Sequence, residues 1–142
     1  MGGGVAKAIR DKWPQVYSQY IFRPKGKVML GVCDIVYINS ELSVANLYGQ
    51  LHLGSDGAKD ASELAIEQSL NEMFYTASRL NVTNIYLPKI GSLRGGLDWD
   101  TEVAPIIERV NILYPTLNVT ICTYEEKPWT TIQSQTDKIK YI

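Results

Sequence analysis

The chain has 142 residues, with 14 Lys and Arg against 15 Asp and Glu and a single His. A chain of this length buries roughly 68–70% of its unfolded surface, so one domain with a real core is expected. Its 45% hydrophobic and 20% charged content excludes a disordered class, and a net charge of −1 supplies no long-range field for nucleic acid or an anionic membrane.

After the opening glycines, Val5, Ala8, Ile9, Trp13, Val16 and Tyr17 recur at helical spacing. Pro14 interrupts them, most simply as the first residue of a second short helix. Pro24-Lys25-Gly26 marks a turn. Three β-like runs follow: Val28 to Val32, Asp34 to Asn39 and Leu42 to Tyr48. Ser40-Glu41 is short enough to join the last two as a hairpin, without the favoured Asn-Gly chemistry.

Gly49 to Asp60 reads as a loop rich in Gly, Ser and Asp. It feeds a long amphipathic helix with Leu64, Ile66, Leu70, Met73, Phe74, Ala77 and Leu80 as its apolar positions. Asn84 to Leu87 is a short apolar strand, Pro88 to Gly96 a loop, and Thr101 to Leu113 a second amphipathic helix. Asp98 stands where an N-cap belongs. Asn118 to Tyr124 is another buried-looking strand. Strands alternating with helices in the second half predict parallel pairing, and the hairpin makes the sheet mixed. The class is α/β, with helices on both faces.

Cys33 and Cys122 lie inside apolar runs and are too few for a disulfide framework, so both read as buried thiols in a reducing compartment. No apolar run approaches the roughly 20 residues of a membrane span, and no leader pattern opens the chain. A myristoylation start is excluded because Ala6 stands where Ser or Thr is needed. The expected compartment is the cytoplasm, with no membrane and no nucleic-acid partner. One His and two separated Cys cannot form a zinc site, and no cofactor is implied.

Two glycine loops carry the functional signal, Gly2-Gly3-Gly4-Val5-Ala6 and Gly91-Ser92-Leu93-Arg94-Gly95-Gly96-Leu97. Each precedes a predicted helix, and the second follows a predicted strand at its carboxyl end, where open α/β sheets bind ligands. Glycine lets backbone N–H groups approach closely and a helix N-terminus adds positive potential, so two such loops could cradle the two ends of a phosphorylated ligand. Neither is a Walker loop, and neither has the dinucleotide fingerprint spacing.

With the segments between them, these loops resemble a known family. Met1-Gly2-Gly3-Gly4-Val5-Ala6-Lys7-Ala8-Ile9-Arg10 followed by Trp13-Pro14 is similar to the first ligand loop and helix of macrodomains. Val44-Ala45-Asn46-Leu47-Tyr48-Gly49-Gln50 is similar to the family's central strand. Leu87-Pro88-Lys89-Ile90-Gly91-Ser92-Leu93-Arg94-Gly95-Gly96-Leu97-Asp98-Trp99 is similar to its phosphate-binding loop. The pattern is nearest to small macrodomains that act as ADP-ribose-1″-phosphate phosphatases or ADP-ribosyl-glutamate hydrolases, many of them phage-encoded. The resemblance runs from Met1 to about Glu126. It implies a three-layer α/β/α domain over 1–126 with a mixed central sheet, followed by a tail over 127–142.

It also implies a ligand, ADP-ribose or an ADP-ribosylated substrate, and a function, binding with hydrolysis of ADP-ribose-1″-phosphate or ADP-ribosyl esters. The alternative is a non-catalytic binder or viral structural protein that keeps the fold, in the host cytoplasm if viral. Gly2, Gly3, Gly4, Val5 and Ala6 would wrap the distal ribose, with Gln50 near it. Gly91, Ser92, Leu93, Arg94, Gly95, Gly96 and Leu97 would offer backbone donors to the diphosphate. Tyr124 would flank the adenine or proximal ribose, or simply pack at the edge of the core.

The departures are specific. Macrodomains carry a strand-helix-strand stretch before the first glycine loop, with a Gly-Asp that reads adenine and an Asn near the distal ribose. This chain starts inside that loop. The tail segment Lys138 to Ile142 reads like the family's first strand and is expected at an edge of the sheet. An edge left uncovered would invite self-association. Where ester-hydrolysing relatives place an Asp and a Lys, this chain has Gly95 and Gly49 or Gln50. Arg94 either pairs with the diphosphate or is a solvated loop residue. His52, near Gln50, is either a general base at neutral pH or incidental. Ser92 has no adjacent base to activate it.

Overall fold

The structure, a computed structural model, describes residues 4–25, 27–51, 61–92, 95–123, 132–133 and 139–141. The chain opens with two helices, α1 (Gly4–Lys12) and α2 (Pro14–Phe22). Pro14 is the first residue of α2, where its missing N–H costs nothing. Trp13 between the helices leaves the helical conformation, with φ −130° and ψ 79°, and donates its amide to the Ile9 carbonyl at 2.7 Å, closing α1.

The hairpin that follows consists of β1 (Cys33–Asn39) and β2 (Leu42–Leu47), paired antiparallel with Asp34 opposite Asn46 and Val36 opposite Val44. Its tight turn is held by the Asn39 side chain, whose Oδ1 accepts from the Glu41 amide at 2.9 Å. That side-chain turn replaces the absent Asn-Gly pair. The first of the three expected strands, Val28 to Val32, does not form. Lys27–Met29 is a single 3₁₀ turn, with Leu30 bonding back to Lys27 and Val32 back to Met29, each at 3.1 Å. Gly31 at φ +84° breaks any extension there, and Val28 is left exposed while Met29 turns inward.

The two faces of the hairpin differ. Val36 and Val44 pack against Val16 of α2, with Ile9, Trp13 and Ile38 around them. Cys33, Ala45 and Leu47 point the other way, onto the main core. That core is built on α3 (Glu63–Arg79), which buries Ile66, Leu70, Met73, Phe74 and Ala77. Leu64 and Leu80, expected on its apolar side, are exposed at its two ends. Ser62 caps α3 by accepting from the Ala65 amide at 3.3 Å.

After α3 come β3 (Asn84–Pro88), α4 (Ala104–Leu113) and β4 (Asn118–Cys122), with β3 and β4 parallel. The second helix starts later than the expected Thr101, because Trp99–Val103 forms a π-turn ahead of it. Asp98 caps that turn, accepting from the Thr101 amide at 2.8 Å, while Glu102 accepts from the Asp98 amide at 2.6 Å. The tail supplies two short strands, β5 (Ile132–Gln133) and β6 (Ile139–Tyr141). The sheet runs β3-β4-β6-β5, mixed in direction. The tail segment expected at an edge therefore lies one place in, parallel to β4, and β5 takes the margin. No ladder among the described residues joins this sheet to the hairpin; the two meet through side chains on α3. The result is the expected α/β/α arrangement. No described helix is long and apolar enough to cross a membrane.

The end of α3 shows how local chemistry sets the return to the sheet. Asn81 has φ +56°, and the Asn81 and Val82 amides bond back to Ser78 and Ala77 at 3.3 and 2.9 Å. This is a Schellman ending with asparagine in the left-handed position. Replacing Asn81 by Val should lower stability by about 1 kcal/mol, because a β-branched residue resists that conformation. Asn81→Gly should stay within about 0.5 kcal/mol of wild type, as glycine is the usual occupant. Urea midpoints at unchanged slope decide it.

Candidate functional site

The carboxyl ends of β2 and β3 and the N-terminus of α3 converge on one point, and glycine makes the convergence possible. A β-carbon on Gly49 would lie 2.6 Å from Ile66 Cγ1, and one on Gly91 would lie 2.6 Å from Ile66 Cδ1. Ile66 is buried between them. Gly91 also has φ +69°, so its conformation and its space both demand glycine. The Ser62 amide donates to the Gly49 carbonyl at 2.8 Å, and Gln50 bridges Ala61.

The second glycine loop closes onto this point. Leu97 donates its amide to the Gly91 carbonyl at 3.1 Å, and the Ala61 amide donates to the Gly95 carbonyl at 3.1 Å. A β-carbon on Gly95 would meet Ala61 Cβ at 3.0 Å and Gln50 Oε1 at 3.6 Å. Gln50, Gly91, Gly95 and Leu97 are thus brought together, although Leu97 points its side chain into the core. Of the loop's backbone donors, Gly95 is engaged with the Ser92 carbonyl and Leu97 with Gly91. Among the described residues the Ser92 and Gly96 amides make no hydrogen bond. The Ser92 hydroxyl donates to the Lys89 carbonyl at 2.7 Å, so it is occupied within the loop.

Gly4, Val5 and Ala6 open α1, with Gly4 at φ +55° and open space where a β-carbon would stand. Helix α1 packs against α2 and buries none of its residues. Gly2, Gly3, His52, Leu93, Arg94 and Tyr124 lie outside the described residues.

A polar layer lies between α2 and the hairpin, and no motif or periodicity announces it. Asp34, 3% exposed, accepts from Gln19 Nε2 at 2.8 Å and from the Arg23 guanidinium with the same oxygen. Its other oxygen, the Asn46 Nδ2 and the Tyr48 hydroxyl are buried without a partner. Tyr48 stacks on Tyr20 at 6.0 Å with planes 11° apart, and Tyr20 stacks on Tyr17. Burial pushes the Tyr48 phenol above its ordinary range, and the negative charge of Asp34 adds to the effect. The signal available was a lone aspartate inside an otherwise apolar strand, Cys33-Asp34-Ile35-Val36.

A cavity of about 120 Å³ opens between the end of α2 and the end of β2, lined by Tyr20, Lys25, Met29, Tyr48 and Gln50 among others. Lys25 Nζ stands 4.2 Å from the Tyr20 ring centroid and donates to the Tyr20 carbonyl at 3.3 Å. No group of His, Cys, Asp and Glu among the described residues is placed to hold a metal ion. The Cys33 thiol is pushed up to about 12, first by burial and then by the charges of Glu72 and Asp34. It is a protonated, unreactive thiol at neutral pH.

The sequence matches no protein-family model and no curated protein. Solved structures do match. The macrodomain of Mycobacterium tuberculosis DarG is 18% identical, with a TM-score of 0.70 over 89% of this chain and 82% of that one. A macrodomain protein from Streptomyces coelicolor is 26% identical, with a TM-score of 0.65 over 87% of this chain and 79% of that one.

Two outcomes follow from this geometry. Gly49→Ala should cost about 1–3 kcal/mol by overpacking against Ile66. In an Ile66→Ala background the same change should cost far less, giving a coupling of about 1–2 kcal/mol in a double-mutant cycle. Additive losses would show that Ile66 is not the obstacle. The second concerns Cys33. Below its ordinary value of 9.0 the thiol is protonated in both the folded and unfolded chains. From there to about 12 only the unfolded chain is ionised, so stability contributed by Cys33 is lost as pH rises through that window. The stability advantage of wild type over Cys33→Ala should shrink across it, and parallel curves would refute the assignment.

Proposed function

Because the chain has a macrodomain fold, we propose that it binds ADP-ribose or an ADP-ribosylated group, with the diphosphate on the loop Gly91–Leu97 and the distal ribose between Gly2–Ala6 and Gln50. The observation that carries this reading is the state of that loop. Its described residues are tied by the Gly95–Ser92 and Leu97–Gly91 bonds and by Ala61, yet among the described residues the Ser92 and Gly96 amides have no partner. Backbone donors held rigid and unused are what an anionic diphosphate requires, because little ordering cost remains at binding. Tyr124 would flank the adenine or the proximal ribose.

A second reading is favoured by a separate observation: binding without turnover. The Ser92 hydroxyl is committed to Lys89 and the Cys33 thiol is held protonated, so neither offers an activated nucleophile. Hydrolysis of ADP-ribose-1″-phosphate or of ADP-ribosyl esters would have to use an ordered water and the ligand's own hydroxyls. His52 is the remaining candidate base.

Calorimetric titration tests the binding. ADP-ribose should bind with a micromolar constant, about −8 kcal/mol, and AMP should give no comparable heat. Absence of heat from a folded sample at two temperatures would overturn the proposal, since the enthalpy of a real association changes with temperature. Release of phosphate from ADP-ribose-1″-phosphate above background would overturn the reading of binding alone, and its loss in His52→Ala would identify the base.

A further inference from the structure

We propose that the gap between β2 and β3 is a docking slot for one extended, uncharged segment of a different polypeptide chain, taken up as an additional strand. The two strands pack on one core under α3 and yet share no ladder. Paired strands stand about 4.8 Å apart. The Cα atoms of β2 and β3 are farther apart than 8 Å along almost all of their length. They converge beyond their carboxyl ends, where Ile66 separates Gly49 from Gly91.

The edges that border this gap are unpaired. The Tyr48 amide donates to the Val32 carbonyl at 3.0 Å, so the alternate residues Val44 and Asn46 turn their backbone groups toward β1. Ser43, Ala45 and Leu47 turn theirs away from it. On β3 the Thr83 carbonyl accepts from the Asn118 amide at 2.8 Å, which sets Ile85 and Leu87 toward β4 and Asn84 and Tyr86 away from it. Helix α3 fixes which way the hairpin lies. On one flank Glu72 accepts from the Cys33 amide at 2.7 Å, a group on the outer edge of β1. About 140° around the helix, Glu67 accepts from Arg109 of α4 at 3.1 Å. The hairpin therefore stands with β1 outward and the open edge of β2 toward the open edge of β3.

Two facing edges of this kind specify their occupant. An extended chain presents donors and acceptors on both sides at the spacing of a strand, the chemistry of β-strand addition. It must be free on both edges. Every described strand of this chain already has one edge paired, so a second copy offers none of them. With six residues in β2 and five in β3, the segment would engage about five residues. Toward α3 it would lie between Ala45 and Leu47 on one side and Ile85 and Leu87 on the other, all in or against the main core. Ala45 and Leu47 face that core and are still only half-buried, so apolar side chains at alternate positions of the segment would cover them. Ser43, Ala45, Leu47, Asn84 and Tyr86 carry no charge, and a charge brought in beside them would be buried without a partner.

Amide exchange on the full chain tests the edges, and a displayed library of random octapeptides supplies the probe. In the free chain the Ala45, Leu47 and Tyr86 amides should exchange about tenfold faster than those of Val44, Asn46 and Ile85, which lie in ladders. Equal protection overturns the open edges. Selected peptides should be uncharged, with apolar residues at alternate positions. A synthetic copy of the best one, at saturation, should slow the first three amides about tenfold. Tyr86→Pro removes a donor on the gap side of β3, and Ala45→Pro does the same on β2. Each should abolish binding of that peptide while a thermal melt shows the fold retained, and if one variant unfolds the other decides. Peptides that carry charges, protect other amides or bind both variants like wild type overturn the slot, as does a library that yields no binder. A dimer of the free chain with these amides protected would assign the segment to a second copy and overturn the docking of a different chain.

Discussion

Ile66 occupies the space that side chains at Gly49 and Gly91 would need, and that exclusion holds the candidate site together. One residue on the first turns of α3 touches the end of β2 on one side and the start of the second loop on the other. Backbone can then approach backbone: Gly49 bonds to Ser62, and Gly95 to Ala61. Close approach of this kind requires glycine, and it places loop amides where side chains would otherwise stand. The shape of the site is thus a packing result before it is a chemical one.

The two helical layers meet the strands in opposite ways. On the α3 side the contact is mainly apolar, from Cys33, Ala45 and Leu47 to Phe74, with the Cys33 amide donating to the Glu72 carboxylate at 2.7 Å. On the α2 side an apolar group around Val16 gives way, toward the carboxyl end of β2, to Asp34, Asn46 and Tyr48. Asp34 with Arg23 and Gln19 makes up a charged contact that is expensive to bury and costly to break by removing one partner. Polarity increases along β2 in the direction of the site, so the same strand serves as core at one end and as site wall at the other.

Much of this architecture is legible from periodicity and punctuation. Pro14 announces α2, Asp98 announces a helix start, and Leu70, Met73, Phe74 and Ala77 lay out the buried face of α3. What periodicity misreads is Val28 to Val32, where an apolar run is a 3₁₀ turn because Gly31 takes a left-handed conformation that no pattern of hydrophobicity reveals. Of the candidate site, the second glycine loop and Gln50 are legible, since glycine before a helix is visible in sequence. Its floor is not. That Ile66 and Ala61 would lie under Gly91 and Gly95 depends on distances between segments far apart in the chain. The cavity wall of Tyr20, Lys25 and Tyr48 was hidden for the same reason, each residue looking ordinary in its own neighbourhood.

The missing ladder between the hairpin and the sheet has a dynamic consequence. The unit made of α1, α2, β1 and β2 has its own small core around Val16, and among the described residues no ladder joins it to β3 and β4; side chains on α3 and the backbone contacts of Gly49 and Gln50 with Ser62 and Ala61 connect the two. Among the described residues no strand ladder has to be broken for the two parts to separate, beyond the single Gln50–Ala61 bridge. Such a molecule opens in portions, and amide exchange from the hairpin can proceed through a partial opening while β3 and β4 stay protected. Since the cavity and Gln50 lie along that same boundary, the free energy of partial opening sets how easily a bulky ligand enters, and a bound ligand would close the seam by touching both sides.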